Sequence, residues 1–305
     1  MPDLMNKITL PLAGLMLGLA AAGNLVSYHG AIFKILCGII AFSLLLLLTM
    51  KIITNHKHIQ EDLHNPAVSG VASTFPMSIV VLSAYINSFL PNMAYAMWII
   101  GIIMQFALII YFTRKFVFNF DIKNVFPSYF IVYVGVAVGS VVAPVFNAIN
   151  VGKVLFWFSF ISYLILLPLI SYRVLKIRPI PEPVVPTLTI FAAPASLLLV
   201  GYLNSFKPIN MTILGILVFL SLFMLFSVLL YMPEMVKLKF YPSYSAFTFP
   251  LVISAIALQS SNNLLIKMNM GIPLLQYVSY FLELLAVIFV IYVLIHYANF
   301  LFIKN

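Results

Sequence analysis

The chain has 305 residues, of which 64% are hydrophobic and only 8% charged, and its mean hydropathy is +1.13. Soluble domains carry roughly 25% charged residues, so a water-soluble globular protein is excluded. The formal charge of +9 comes from cations set singly or in small clusters between apolar runs, which excludes the single basic, aromatic-interleaved face that nucleic-acid binding needs.

Crossing a bilayer takes about 20 mostly apolar residues. Runs able to do so lie at about 8–27, 31–53, 67–88, 92–113, 125–148, 152–173, 184–204, 209–231, 243–262 and 273–301. The chain therefore reads as an all-α polytopic membrane protein, a single transmembrane domain over 1–305 with ten helices and short loops.

Span one follows Lys7 and superficially resembles a secretory signal, but the spans behind it make a retained helix the simpler reading. Span two holds the lone cysteine, Cys37, which has no internal disulfide partner and reads as a small core residue. In the loop after it, His56, His58 and His64 stand among Lys57, Glu61 and Asp62 without a second cluster to complete a metal site, so no metal is expected. Asn65-Pro66 then fits an N-cap and first helical residue opening span three.

Each odd-numbered span carries a proline after a bulky apolar residue or alanine: Leu10-Pro11, Phe75-Pro76, Ala143-Pro144, Ala193-Pro194 and Phe249-Pro250. Thr74-Phe75-Pro76 of span three recurs as Thr248-Phe249-Pro250 of span nine, and Pro127-Ser128-Tyr129 recurs as Pro242-Ser243-Tyr244. Pro168 in span six breaks the exclusivity of the pattern.

Placing cations in the gaps assigns Lys7, Lys51, Lys57, Arg114, Lys115, Lys123, Arg173, Lys176, Arg178, Lys237, Lys239 and Lys304 to one side, and Lys34, Lys153, Lys207 and Lys267 to the other. The positive-inside rule puts the richer side, and both termini, in the cytoplasm of a cell (plasma or inner) membrane. Every odd span then enters from the cytoplasm, so two-helix units are related by rotation about the membrane normal, and five hairpins would form a ring.

An active site needs nucleophiles, bases or metal ligands, and intramembrane ionisable groups are where to look first. Asp3, Glu61, Asp62, Asp121, Glu182 and Glu234 all fall in terminal or loop positions; Glu283 alone lies well inside a span. Two readings of Glu283 stay open, a proton-coupling carboxylate and a side chain hydrogen-bonded to a neighbouring helix. No P-loop, dinucleotide glycine pattern, G-x-S-x-G or H-E-x-x-H is present, so neither an enzyme nor a cofactor is expected, and transport or conduction remains.

Proline removes an N–H and frees a carbonyl about one turn earlier, which is tolerable in a membrane only where protein packs it or a wet cavity meets it. Five such kinks around an axis would enclose an apolar path without a ring of fixed charge, closable by excluding water. Freed carbonyls attract cations, so anion preference would need positive helix ends or entrance cations.

Leu12-Ala13-Gly14-Leu15-Met16-Leu17-Gly18, His64-Asn65-Pro66-Ala67-Val68 leading to Phe75-Pro76, Ala192-Ala193-Pro194-Ala195, and Ser245-Ala246-Phe247-Thr248-Phe249-Pro250 together resemble the tellurite-resistance/dicarboxylate transporter family, which includes bacterial TehA and the plant slow anion channels. The resemblance runs over nearly the whole chain. It implies five hairpins with odd helices lining a central pore and even helices outside, assembled as a homotrimer in the bilayer. Phe249 falls on the family's gate phenylalanine in the A-[FY]-[ST]-F motif, and Gly14 matches its pore-facing glycine. Phe75, Pro76, Ala193, Pro194, Thr248 and Pro250 complete the expected lining. The sequence has Phe249-Pro250 where bacterial relatives have phenylalanine-glycine, as plant-type members do. The implied function is a channel or channel-like transporter for small inorganic anions; the alternative is proton-coupled transport of C4-dicarboxylates or sulfite, with Glu283 as the coupling group.

Overall fold

The computed structural model describes residues 7–177 and 179–302, so the expectations for Asp3, Arg178 and Lys304 lie outside the described residues. The α-helices are α1 (Leu12–Leu25), α2 (Ala31–Thr54), α3 (His56–Asp62), α4 (Pro66–Ala72), α5 (Thr74–Ile86), α6 (Pro91–Phe112), α7 (Ser128–Val134), α8 (Ala137–Val142), α9 (Ile149–Lys176), α10 (Ala193–Ser205), α11 (Met211–Met235), α12 (Phe249–Lys267) and α13 (Pro273–Phe302). No strand occurs among the described residues.

Among the described residues, eight helical stretches are long and apolar enough to cross a membrane, and α7 with α8, bent by 48° at their junction, makes a ninth. The first expected span differs from the others. Its helix α1 has 14 residues, about 21 Å of rise, which is short of a hydrocarbon core about 30 Å thick.

Burial sorts the long stretches into two classes. In 66–86, 182–205 and 242–267 the apolar window is 83%, 78% and 61% buried, whereas in the stretches built on α2, α6, α9, α11 and α13 it is 22–33% buried. All of α1 except Asn24 is buried as well. The outer helices pack on inner partners, α2 on α1, α6 on α5, α9 on α8, α11 on α10 and α13 on α12. The inner elements also close a circuit, α1 on α5, α5 on α8, α8 on α10, α10 on α12 and α12 back on α1. Lipid tails are as apolar as leucine, so contact between membrane helices depends on close packing and small residues. Gly18 shows how close: a Cβ there would stand 2.3 Å from Thr248 Oγ1.

The prolines of the third, seventh and ninth spans do not act as mid-helix kinks. Pro194 and Pro250 are the second residues of α10 and α12, and Pro76 the third of α5. Proline is tolerated in a first turn because its missing N–H would have had no helical partner there. The irregular backbone lies just ahead, as 3-10 turns over Glu182–Ala192 and Pro242–Phe247 and as the junction at Ser73. In the fifth span the bend falls at Gly135 and Val136, while Pro144 sits beyond it in a 3-10 turn over Ala143–Phe146. Hydroxyls take up the carbonyls near these junctions. Thr74 Oγ1 donates to Val71 O at 2.7 Å and Thr248 Oγ1 to Ser245 O at 2.7 Å, the same i to i−3 bond in both copies of the Thr-Phe-Pro repeat.

The expected cap at Asn65 is present: Oδ1 accepts from Ala67 N at 2.9 Å and Val68 N at 3.3 Å, with Pro66 as the first residue of α4. Asn65→Ala is expected to cost about 1 kcal/mol, read as a lowered melting temperature of the detergent-solubilised protein.

Candidate functional site

The inner elements enclose a cavity of ≈ 40 Å³, space for a few water-sized spheres. All five inner spans contribute to its wall. The first gives Gly14 and Leu17; the third Val71, Thr74 and Met77; the fifth Phe130, Ile131, Val134 and Gly135; the seventh Ile190, Ala193, Pro194 and Leu197; the ninth Ser245, Ala246, Phe249 and Pro250. No charged residue is among them, and the only hydroxyls are those of Thr74 and Ser245. The first turns of α5, α10 and α12 reach this level through Thr74, Ala193, Pro194, Phe249 and Pro250.

The cavity brings together Gly14, Ala193, Pro194, Phe249 and Pro250, and it leaves out Phe75, Pro76 and Thr248. The physical reason is the rotation of each helix start. In the third span Thr74 turns toward the cavity, which carries Phe75 and Pro76 off the wall, and the Pro76 carbonyl lies 3.0 Å from where a Cβ on Gly101 of α6 would be. In the ninth span Phe249 turns inward, and Thr248 is committed sideways, its Oγ1 donating to Gly14 O at 3.0 Å. Two identical tripeptides thus present different residues to the same space. Phe249 is 7% exposed and Phe130, 1% exposed, is a second aromatic on the wall. Nothing in the sequence distinguishes Phe130 from the other phenylalanines; only its place on the bent fifth span does.

Glu283 is absent from this wall. It is 7% exposed on α13 and lines a groove against α1 and α2. Its partners come from the turn after α1: His29 Nε2 lies 2.8 Å from Oε1, and the Tyr28 hydroxyl donates to Oε2. The basic partner missing from its own span is supplied across more than 250 residues of sequence, a pairing invisible to a span-by-span reading. Tyr28 lies outside the long helices, and burial, then the Glu283 hydrogen bond, push its phenol up, so it stays a donor through the neutral range. Among the described residues no group of three or more His, Cys, Asp or Glu is placed to hold a metal ion.

No individual curated protein matches the chain. The profile of the voltage-dependent anion channel family SLAC1 matches residues 7–298, which spans every helix from α1 through most of α13. An all-helical multi-pass architecture and an uncharged cavity shared by its inner spans accompany a match over nearly the full length, and on these grounds the chain belongs to the SLAC1 family of voltage-dependent anion channels.

Proposed function

We propose that this protein conducts small inorganic anions along the axis of its inner spans, and that Phe249 occludes the path at rest. The observation that carries the reading is the cavity: every inner span contributes to it, it bears no charge, and Phe249 stands on its wall. An apolar constriction of this size holds back a hydrated ion by the cost of stripping its water. Anion preference in this reading draws on the positive amino ends of the inner helical stretches 66–86, 182–205 and 242–267, which enter from the same side of the path. In this reading ten helices form five hairpins around the pore, both termini face the cytoplasm of the cell membrane, and three copies assemble as a homotrimer. Phe75, Pro76 and Thr248 support the lining from behind.

A second reading, proton-coupled transport of C4-dicarboxylates or sulfite, draws on the buried Glu283 and its His29 partner. Flux in proteoliposomes under imposed ion and pH gradients separates the two. A channel gives anion flux that follows the anion gradient, does not saturate at low concentration and is indifferent to the proton gradient. Glu283→Gln is expected to leave that flux unchanged, because Glu283 lies off the cavity wall. Proton-driven flux abolished by Glu283→Gln would establish the coupled transporter instead.

A further inference from the structure

The bend of the fifth span falls between α7 and α8, in a stretch without proline. In an unbroken α-helix the Val132 carbonyl would accept from the N–H of Val136. Here it accepts from a side chain of the neighbouring outer helix: Gln105 Nε2 of α6 donates to Val132 O at 2.8 Å and to Ile131 O at 3.2 Å. A primary amide has two N–H donors, and both go to backbone at the bend. Gln105 is 3% exposed and its Oε1 has no hydrogen-bond partner among the described residues, so the two carbonyls orient the amide.

Gly135 is the complementary half of the arrangement. A Cβ at that position would lie 2.2 Å from Ile131 O, 2.7 Å from Met77 Sδ and 3.3 Å from Gln105 Nε2. Any larger residue would press on the carbonyl that Gln105 holds and on the amide itself. Ile131, Val134 and Gly135 belong to the cavity wall shared with Phe249, while Gln105 is off that wall and lines a void of ≈ 10 Å³ beside it.

We propose that Gln105 is a positioning residue for the pore: it clamps the fifth span in its bent form and thereby sets the clearance between the Ile131–Gly135 wall and Phe249. The functional half rests on the pore reading, and the structural half on the hydrogen bonds alone.

Gln105→Met keeps the length of the side chain and removes both donors, and Gly135→Ala strains the clamp from the opposite side. Losing two bonds to buried carbonyls shifts the balance of bent and straightened forms by roughly tenfold. Spin labels at exposed Asn124 and Val145, which flank the bend, are introduced with Cys37 replaced by alanine. Each variant is expected to lengthen or broaden the distance distribution between them. Within Phe249→Ala proteoliposomes, each is expected to change the ratio of thiocyanate to chloride flux by at least about threefold, a fraction of that population shift.

Unchanged label distances in monodisperse Gln105→Met and Gly135→Ala overturn the clamp. Altered distances with an unchanged flux ratio overturn its role in the pathway. Altered distances in a Phe249→Ala protein that passes no anions leave the clamp standing and sink the pore reading, and the functional half of the proposal with it.

Discussion

Phe249→Ala is expected to raise anion flux through the reconstituted protein by about tenfold or more, since a barrier lower by only about 1.4 kcal/mol already gives tenfold. The ring stands on a cavity that holds only a few water-sized spheres. Cutting it back to a methyl group enlarges that cavity along the path and lets an ion keep more of its water. Phe249→Leu should fall between, because a branched aliphatic side chain fills part of the same space. The telling comparison is Phe75→Ala. Phe75 occupies the matching place in the Thr-Phe-Pro repeat and is 8% exposed, yet it is off the wall. It is expected to lower stability without opening the path. Equal flux from Phe249→Ala and the parent, in protein that elutes as a single species, would remove Phe249 from the gating role.

Gly18→Ala is expected to destabilise the protein by roughly 1–3 kcal/mol, the usual range for overpacking a filled interior. Its new Cβ would meet Thr248 Oγ1 at 2.3 Å, Thr248 Cβ at 2.4 Å and Phe249 N at 3.1 Å. The hydroxyl cannot swing aside cheaply, because its single O–H is shared between Ser245 O at 2.7 Å and Gly14 O at 3.0 Å. The strain therefore passes to the backbone at the start of α12, where Phe249 begins the helix. Gly215→Ala provides the control within one chain, since a Cβ there meets nothing within 4 Å on the outer helix α11. That change should be neutral or stabilising by up to about 1 kcal/mol through helix propensity. Melting curves of the two variants in one detergent test the pair, and equal shifts would mean that α1 and α12 are not in tight contact.

Hydropathy made the fold class legible because twenty-residue apolar runs separated by cations have few other physical meanings. The division into inner and outer spans was partly legible too. The prolines mark the third, seventh and ninth spans, which are the most buried of the long stretches. Their mechanical role was not, since whether Pro76 or Pro250 kinks a helix or begins one depends on backbone ahead of it that sequence does not fix. Phe249 and Phe75 have the same neighbours in sequence, and only the rotation of each helix start sets one on the wall and the other off it. Gln105 and the Glu283–His29 pair stayed hidden for a different reason. Each acts on an element distant in the chain, and a lone amide in an apolar run carries no signature of the carbonyl it will meet.

The shortness of α1 has an electrical consequence. Five outer helices of 22 to 30 residues surround a 14-residue inner one; in the pore reading, an apolar seal no longer than that helix lets water enter the path from both ends. A membrane potential falls mainly where water is excluded, and each elementary charge carried across the whole drop exchanges about 2.3 kcal/mol per 100 mV. Compressing that drop into about 20 Å of inner helix steepens the field at the level of Phe249. An ion there would feel most of the voltage over a single narrow step.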